Sequence, residues 1–331
     1  ISASTSAIAS ALVIYIILRS TKGLRKSVYH RIMFGMNVAD ILQSTAIAFT
    51  TLPMPKDMIY SFKGVVIGNH TSCQVQGFFV VFGCFTGMMY NAALSIYYLC
   101  SINYNMMDQQ FRKCLEPCLH VIAIFGGFVI AVGLGLADMY HPSPSTKAWC
   151  GVSRYPYWCE VSNDDCDVEP IIANIFFIVT GVIAGVSIIV IVGTMILIVH
   201  KVRRLQRIRT QELQKYRSQI YAQIASDNLL QTTKTVMKQA MAYTVVNLLG
   251  IVSFIIFPAI MQRSFDISKP TPVLQIIFLA FRPLQGFFNA IIFITLKVHS
   301  FRRMDPTINI HVALKRLLKG EEAPDRIMSD M

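Results

Sequence analysis

Residues 171–199 read IIANIFFIVTGVIAGVSIIVIVGTMILIV, and residues 200–209 continue HKVRRLQRIR. The first stretch holds 29 residues with no Asp, Glu, Lys or Arg. A helix crosses a bilayer core with about 20 apolar residues, so this stretch can span with a turn or more to spare. A membrane strand would alternate over about ten residues. Runs such as Ile188 to Val192 are continuously apolar, which selects a helix. The basic run that follows marks the membrane face that retains Lys and Arg, the cytoplasmic one.

Six more apolar segments flank this one. They are Ile8 to Leu18, extended backwards by the weakly apolar Ile1 to Ala7, then Ile32 to Leu52, Cys73 to Tyr104, Cys118 to Met139, Val236 to Met261 and Val273 to Leu296. In chain order the stretch 171–199 is segment five. The fold class that follows is an all-α membrane protein, a bundle of seven transmembrane helices. The whole composition agrees. Of 331 residues, 54% are hydrophobic and 15% charged, against about 25% charged in soluble domains. Mean hydropathy is +0.51. The chain opens at Ile1 inside an apolar run and without an initiator Met, so an extracellular stretch is expected to precede it.

The net charge of +12 is distributed by side. The segments from Arg19 to Arg31, Asn105 to Pro117 and His200 to Lys238, together with everything after Leu296, hold 23 of the 30 Lys and Arg. This bias puts the N-terminus outside and the C-terminus in the cytoplasm. The charge then serves anionic lipid or an acidic partner, and a nucleic-acid role is excluded. The sequon Asn69-His70-Thr71 falls on the outer side, so Asn69 is a glycosylation candidate. So do Cys73, Cys150, Cys159 and Cys166, which allow three pairings. A bond from Cys73 to the long loop at 141–170 would pin that loop over the bundle. The favoured set is Cys73 with Cys150 and Cys159 with Cys166; the rival pairs Cys73 with Cys159. Cys84, Cys100, Cys114 and Cys118 are expected to stay reduced.

No Gly or Pro occurs between Gly193 and Gly250. Segments five and six are therefore expected to run several turns into the cytoplasm, with the turn at Ala225 to Asn228. Arg203, Arg204, Arg207, Lys234 and Lys238 flank the opening there. Two readings stand for them: a docking face for a cytoplasmic partner, or an anionic-lipid contact. Lys297 to Met304 reads as a short basic amphipathic helix on the inner surface. It closes a unit of residues 1–304, and residues 305–331 form a polar cytoplasmic tail.

Asp40 and Arg282 are the clear intramembrane charges. Asp40 lies about 12 Å above the inner boundary and Arg282 about 13 Å below the outer one. Each needs a partner, because a lone charge in lipid is costly. Tyr90, Asn91, Gln275 and Asn289 belong to the intramembrane polar set. The seven His lie mostly in loops or at helix ends and form no ligand constellation, so neither a metal nor an enzyme is expected.

This organisation resembles the G-protein-coupled receptor superfamily, and the resemblance covers nearly the whole chain. Asn37-Val38-Ala39-Asp40-Ile41-Leu42 is similar to the receptors' segment-two motif, where Asp40 matches the sodium-site aspartate. Pro283-Leu284-Gln285-Gly286-Phe287-Phe288-Asn289 is similar to a segment-seven pattern of cAMP-receptor-like and adhesion/secretin-related receptors. Pro258 matches the kink proline of segment six. The departures from the rhodopsin-like pattern are specific. Ile256 replaces the toggle Trp, Ala290 and Phe293 replace the Pro and Tyr of segment seven, and Tyr97-Tyr98-Leu99 stands where Asp-Arg-Tyr belongs. The cAMP-receptor-like branch of microbes and protists is the better match.

The resemblance implies a receptor in the cell membrane that binds an extracellular ligand and activates a heterotrimeric G protein. It implies an ion or switch site at Asp40, Asn91 and Asn289, with a sodium ion as its candidate occupant. No other cofactor is implied. The rival reading of Asp40 is a purely structural hydrogen bond. Arg282, Gln275 and Tyr90 are the ligand-binding candidates. Arg282 has two readings, a water-bridged tie between helices or the anchor for an anionic ligand. The alternative function is an ion channel or transporter. A retinal photoreceptor is disfavoured, since Val273 to Leu296 contains no Lys for a Schiff base.

Overall fold

The computed structural model describes residues 1–20, 27–56, 65–142, 148–153, 170–215, 237–250, 280–305 and 307–321. Its helices are α1 (Ser2–Arg19), α2 (Val28–Ala48), α3 (His70–Asn103), the short α4 (Asp108–Cys114) and α5 (Glu116–Leu136). After a hairpin of β1 (Tyr140–Pro142) and β2 (Cys150–Val152) come α6 (Pro170–Lys215) and α7 (237–250). A 3-10 turn at Arg282–Leu284 leads into α8 (Gln285–Met304), and α9 (Ile310–Leu318) follows. Thus α1, α2, α3, α5, α6, α7 and α8 carry segments one to seven in order.

Local chemistry sets the starts. Asn69 caps α3: its Oδ1 accepts from the Ser72 amide at 2.9 Å, and the Asn69 amide donates to Ser72 Oγ at 2.8 Å. This reciprocal pair satisfies two amides that the helix cannot. Pro117 and Pro170 open α5 and α6, where the missing N–H costs nothing. With 46 residues, α6 is about 69 Å long, far more than a bilayer needs. Its basic end, free of Gly beyond Gly193, continues the helix past the apolar stretch. The turn expected at Ala225 to Asn228 lies outside the described residues.

Among the described residues, four helices are long and apolar enough to cross a membrane: Ser2–Arg19, His70–Asn103, Glu116–Leu136 and Ile178–Ile208 within α6. Helix α2 is more polar because it is an inner helix. Asn37, Asp40, Gln43 and Ser44 on it are all buried. The central helix is α3, which packs on α2, α5 and α6, while α1 packs on α2 and α8. Outward faces are apolar: Ile122 and Phe125 on α5 and Ile189 on α6 are exposed, as side chains in contact with lipid are. Of the glycines in segment four, Gly127 permits a close approach, with Thr86 of α3 lying where its Cβ would be, whereas Gly126 faces open space.

The end of the chain departs from expectation. Lys297 to Met304 is not a separate surface helix; it is the last two turns of α8. The amphipathic helix is α9, inside the stretch read as a polar tail. Its Ala313 and Leu317 are buried in the main core together with Ile16 and Ile17 of α1. The turn between α8 and α9 is built by Asp305, whose Oδ1 accepts from the Thr307 amide at 3.1 Å and from Thr307 Oγ1 at 2.6 Å. These bonds hold the Asp305 carboxyl below its ordinary value. Ile310-His311-Val312-Ala313-Leu314-Lys315-Arg316-Leu317-Leu318 carries a strong one-sided pattern in the sequence itself.

Candidate functional site: a lid, a polar core and a tyrosine cluster

At one end of the bundle the hairpin forms a lid. A disulfide joins Cys73, on the first turn of α3, to Cys150 of β2. This is the pairing favoured from the sequence. Cys159 and Cys166 lie outside the described residues. Gln76, one turn further along α3 and buried, reinforces the bond. Its Nε2 donates to the carbonyls of Ala46 and Thr50 at 2.9 Å each, and its Oε1 accepts from the Cys150 amide at 2.9 Å. One side chain thus ties the end of α2, the start of α3 and the lid together. Trp149 fills the space below, buried against Ala3, Ile47 and Val80. Tyr140 Oη donates to the Ala131 carbonyl at 2.8 Å and fixes the other strand to α5. Sequence reasoning missed Gln76. A Gln inside an apolar segment is the available signal, since it must find partners there.

Midway along the bundle, α1, α2 and α8 enclose a polar core. Asn289 Nδ2 donates to Asp40 Oδ2 at 3.2 Å, and both residues are buried. Ser6 Oγ accepts from the Phe287 amide at 3.2 Å. A Cβ at Gly286 would run into the Ser10 hydroxyl, meet the Ser6 hydroxyl at 2.8 Å and press on Asp40 Cβ at 3.2 Å, so these groups would have to shift. Ser10 Oγ, Asn37 Oδ1 and Asn289 Oδ1 are buried with no hydrogen-bond partner among the described residues. Asn91 does not bond Asp40. Its Nδ2 donates to the Gly87 carbonyl at 3.0 Å, and Gly87 is the α3 residue that faces the carboxylate. The expected trio therefore resolves into one direct pair and one residue on the adjoining turn of α3.

Tyr90 does not line an open cavity. Its ring is 2% exposed, lies against Gly35, and its hydroxyl meets His120 Nδ1 at 2.9 Å. That places Tyr90 among the links between α2, α3 and α5. The physical reason is that a buried phenol takes whichever partner is near, and His120 on α5 is that partner. Gln275 lies outside the described residues. Arg282 is the first residue of the 3-10 turn, and its side chain lies outside what is described.

The opposite end carries the helix links. Arg31 and Glu116 form a two-point ion pair, with Nη2 to Oε2 at 2.7 Å and Nε on Oε1. His120 Nε2 is 3.5 Å from Glu116 Oε1. The Glu116 hydrogen bond holds the Arg31 guanidinium above its ordinary value. Tyr97 and Tyr98 stand where the charged switch motif was missing. Tyr97 Oη donates to Asp108 Oδ1 at 3.0 Å and its ring meets Phe111 edge-on, which fastens α4 to α3. Tyr98 joins a cluster with Tyr29 of α2 and Tyr243 of α7. Tyr29 Oη lies 3.4 Å from Tyr243 Oη and accepts from Gln239 Nε2 at 2.9 Å, while its ring stacks on Phe293 of α8. Four helices thus meet at one tyrosine. Arg203, Arg204 and Arg207 on α6 and Lys238 on α7 are exposed beside this cluster's end of the bundle. Lys234 lies outside the described residues.

The family model of the 7 transmembrane receptor (rhodopsin family) matches residues 9–293. The fold is similar to that of squid rhodopsin, with a TM-score of 0.61 over 97% of this chain and 88% of that one, at 12% identity. No curated protein matches. The superfamily expected from the sequence is thereby shown. The branch is corrected: the segment-seven motif pointed to cAMP-receptor-like receptors, but the matching model is the rhodopsin one. Where the switch charges are missing, Tyr97 bonds Asp108 and packs on Phe111 instead. This chain belongs to the rhodopsin family of seven-transmembrane receptors.

Proposed function

We propose that this membrane receptor sits in the plasma membrane with its N-terminus and lid outside. In this reading an extracellular ligand binds beneath the lid, and a heterotrimeric G protein docks on the face formed by α3, α6 and α7. The observation that carries the coupling is the tyrosine cluster. It ties α7 to α2 by two neutral hydrogen-bond contacts, at the end where the exposed Arg203, Arg204, Arg207 and Lys238 could meet a partner. Arg282 enters as the proposed anchor of an anionic ligand, because a guanidinium binds carboxylate or phosphate through two parallel bonds.

Asp40 and Asn289 are the proposed switch site. A sodium ion fits the oxygen-rich surroundings: the Asp40 carboxylate, with the unpartnered Ser10 Oγ and Asn289 Oδ1 bordering the same space. A bound sodium would supply a fixed positive charge between α1, α2 and α8. The lack of a Lys inside segment seven argues against a covalent retinal site, and Lys297 lies near the α9 end of α8, far from the middle of the bundle.

The test is a ligand screen in cells carrying a G-protein recruitment sensor, with anionic metabolites and peptides in the panel. Agonist-dependent recruitment that is lost on reversing Lys234 and Lys238 to Glu supports the docking face. Recruitment unchanged by that reversal assigns the basic residues to lipid contact instead.

A further inference from the structure

A groove of about 500 Å³ runs between α3 and α5 on the lid half of the bundle. Its walls are Val75, Phe78 and Phe79 on one side and Val132 and Gly135 on the other, with Tyr140 at its floor. Val75 is 51% exposed and Phe79 36%, so the groove opens sideways across the apolar outer face and not into the bundle. At its lid end the lining turns polar. Asp138 Oδ1 accepts from Gln74 Nε2 and lies 3.1 Å from His70 Nε2. Asp138 Oδ2 makes no hydrogen bond among the described residues, and no Lys or Arg of those residues pairs with this carboxylate. From His70 to Phe79 the groove extends about 13 Å along α3. That matches half of the roughly 30 Å hydrocarbon core.

We infer that this groove holds a membrane lipid with a primary-ammonium head group, of the phosphoethanolamine class. The acyl chain lies along Val75, Phe79 and Val132, and the ammonium meets Asp138. A shape of one leaflet's depth, apolar along its length and anionic at one end, is complementary to such a molecule. A soluble ligand would leave the apolar walls facing lipid. A choline head group places three methyls between its charge and the carboxylate and has no N–H to donate, whereas an ammonium can hydrogen-bond directly. Only the leaflet, the outer one, rests on the orientation proposed above; the choice of head group does not.

The experiment uses the full chain in nanodiscs with equal amounts of phosphatidylethanolamine and phosphatidylcholine, followed by native mass spectrometry of the retained lipid. The carboxylate is half exposed, so the preference is moderate: about fivefold for phosphatidylethanolamine in the wild type. Asp138→Asn brings the ratio close to one while keeping an acceptor for Gln74. Val132→Trp fills the groove from the α5 side, leaves the polar end intact and lowers retention of both lipids. A ratio near one in the wild type overturns the inference. So does a preference that persists in Asp138→Asn, or lipid retention undiminished in a folded Val132→Trp.

Discussion

Replacing Tyr29 by Phe tests the coupling at its narrowest point. The hydroxyl is buried and is the acceptor for Gln239 and the partner of Tyr243, both on α7. The ring stacks on Phe293 and packs near Tyr98, and Phe preserves those contacts. The substitution therefore deletes two inter-helix hydrogen bonds and no packing. A neutral hydrogen bond contributes about 1 kcal/mol net. The 2.9 Å bond from Gln239 counts fully and the 3.4 Å contact with Tyr243 only in part, so the loss is about 1–2 kcal/mol. If α7 leaves α2 when the receptor turns on, the ratio of open to closed forms rises about 5- to 30-fold. Spin labels at Lys238→Cys on α7 and at the exposed Cys114, with Cys118 replaced by Ser, report that distance without any ligand. The long-distance population should grow in Tyr29→Phe and return towards wild type in no Phe-only variant, but only when a hydroxyl is restored. A distance distribution identical to wild type, with the melting temperature lowered as the bond loss demands, would falsify the idea that these bonds hold α7 in place.

Three other perturbations follow from the same geometry. Gln76→Ala removes three hydrogen bonds between α2, α3 and the lid, and should lower stability by roughly 2–3 kcal/mol at about 1 kcal/mol per bond; a melting temperature unchanged in detergent would refute its role. Gly286→Leu forces a side chain onto Ser6, Ser10 and Asp40 and should cost about 1–3 kcal/mol as overpacking does, or block surface expression; normal expression with full stability would show that α1 and α8 separate freely. Asp305→Ala should release α9 from α1, read as faster amide exchange at Ala313 and Leu317. Because the Asp305 carboxyl sits below its ordinary value of 3.8, its support is present above that value and lost as pH falls through the lowered one, so wild type should mimic the variant only in strong acid.

The spans and the order of the helices were legible because lipid imposes a length and an apolar face on each of them. The lid disulfide was legible for a related reason, since cysteines on the oxidising side have few partners. Asp40 could be singled out because a carboxylate in an apolar run is expensive, and its pairing with Asn289 follows from that expense. What the chain alone could not reveal was which buried polar groups meet. Tyr90 turns towards His120, a choice set by the packing of α5 against α3 and invisible in either segment. Tyr29, Tyr98 and Tyr243 are separated by up to 214 residues and carry no local pattern that unites them. The amphipathic helix was misplaced because basic residues at the end of a long helix look the same as those on a separate one until a turn such as Asp305 to Thr307 divides them.

Two sets of contacts hold the helices with different strengths, and this difference localises the motion. The lid, α2, α3 and α5 are joined by a disulfide, by three buried amide bonds from Gln76 and by the charged two-point pair of Arg31 and Glu116. Hydrogen bonds to charged groups are worth about 1.5–3 kcal/mol, well above neutral ones. Helix α7 bonds α2 through the neutral contacts of Gln239 and Tyr243 with Tyr29. A ligand that can supply a few kcal/mol of differential binding can break the second set and not the first. The receptor motif that normally places charge at the end of segment three is absent here, and the charged pair at this end joins α2 to α5 instead. The consequence is a bundle whose fixed half is ionic and covalent and whose movable contact is aromatic. Opening then exposes phenols and one amide, groups that water can solvate at little cost, and strands no buried ion.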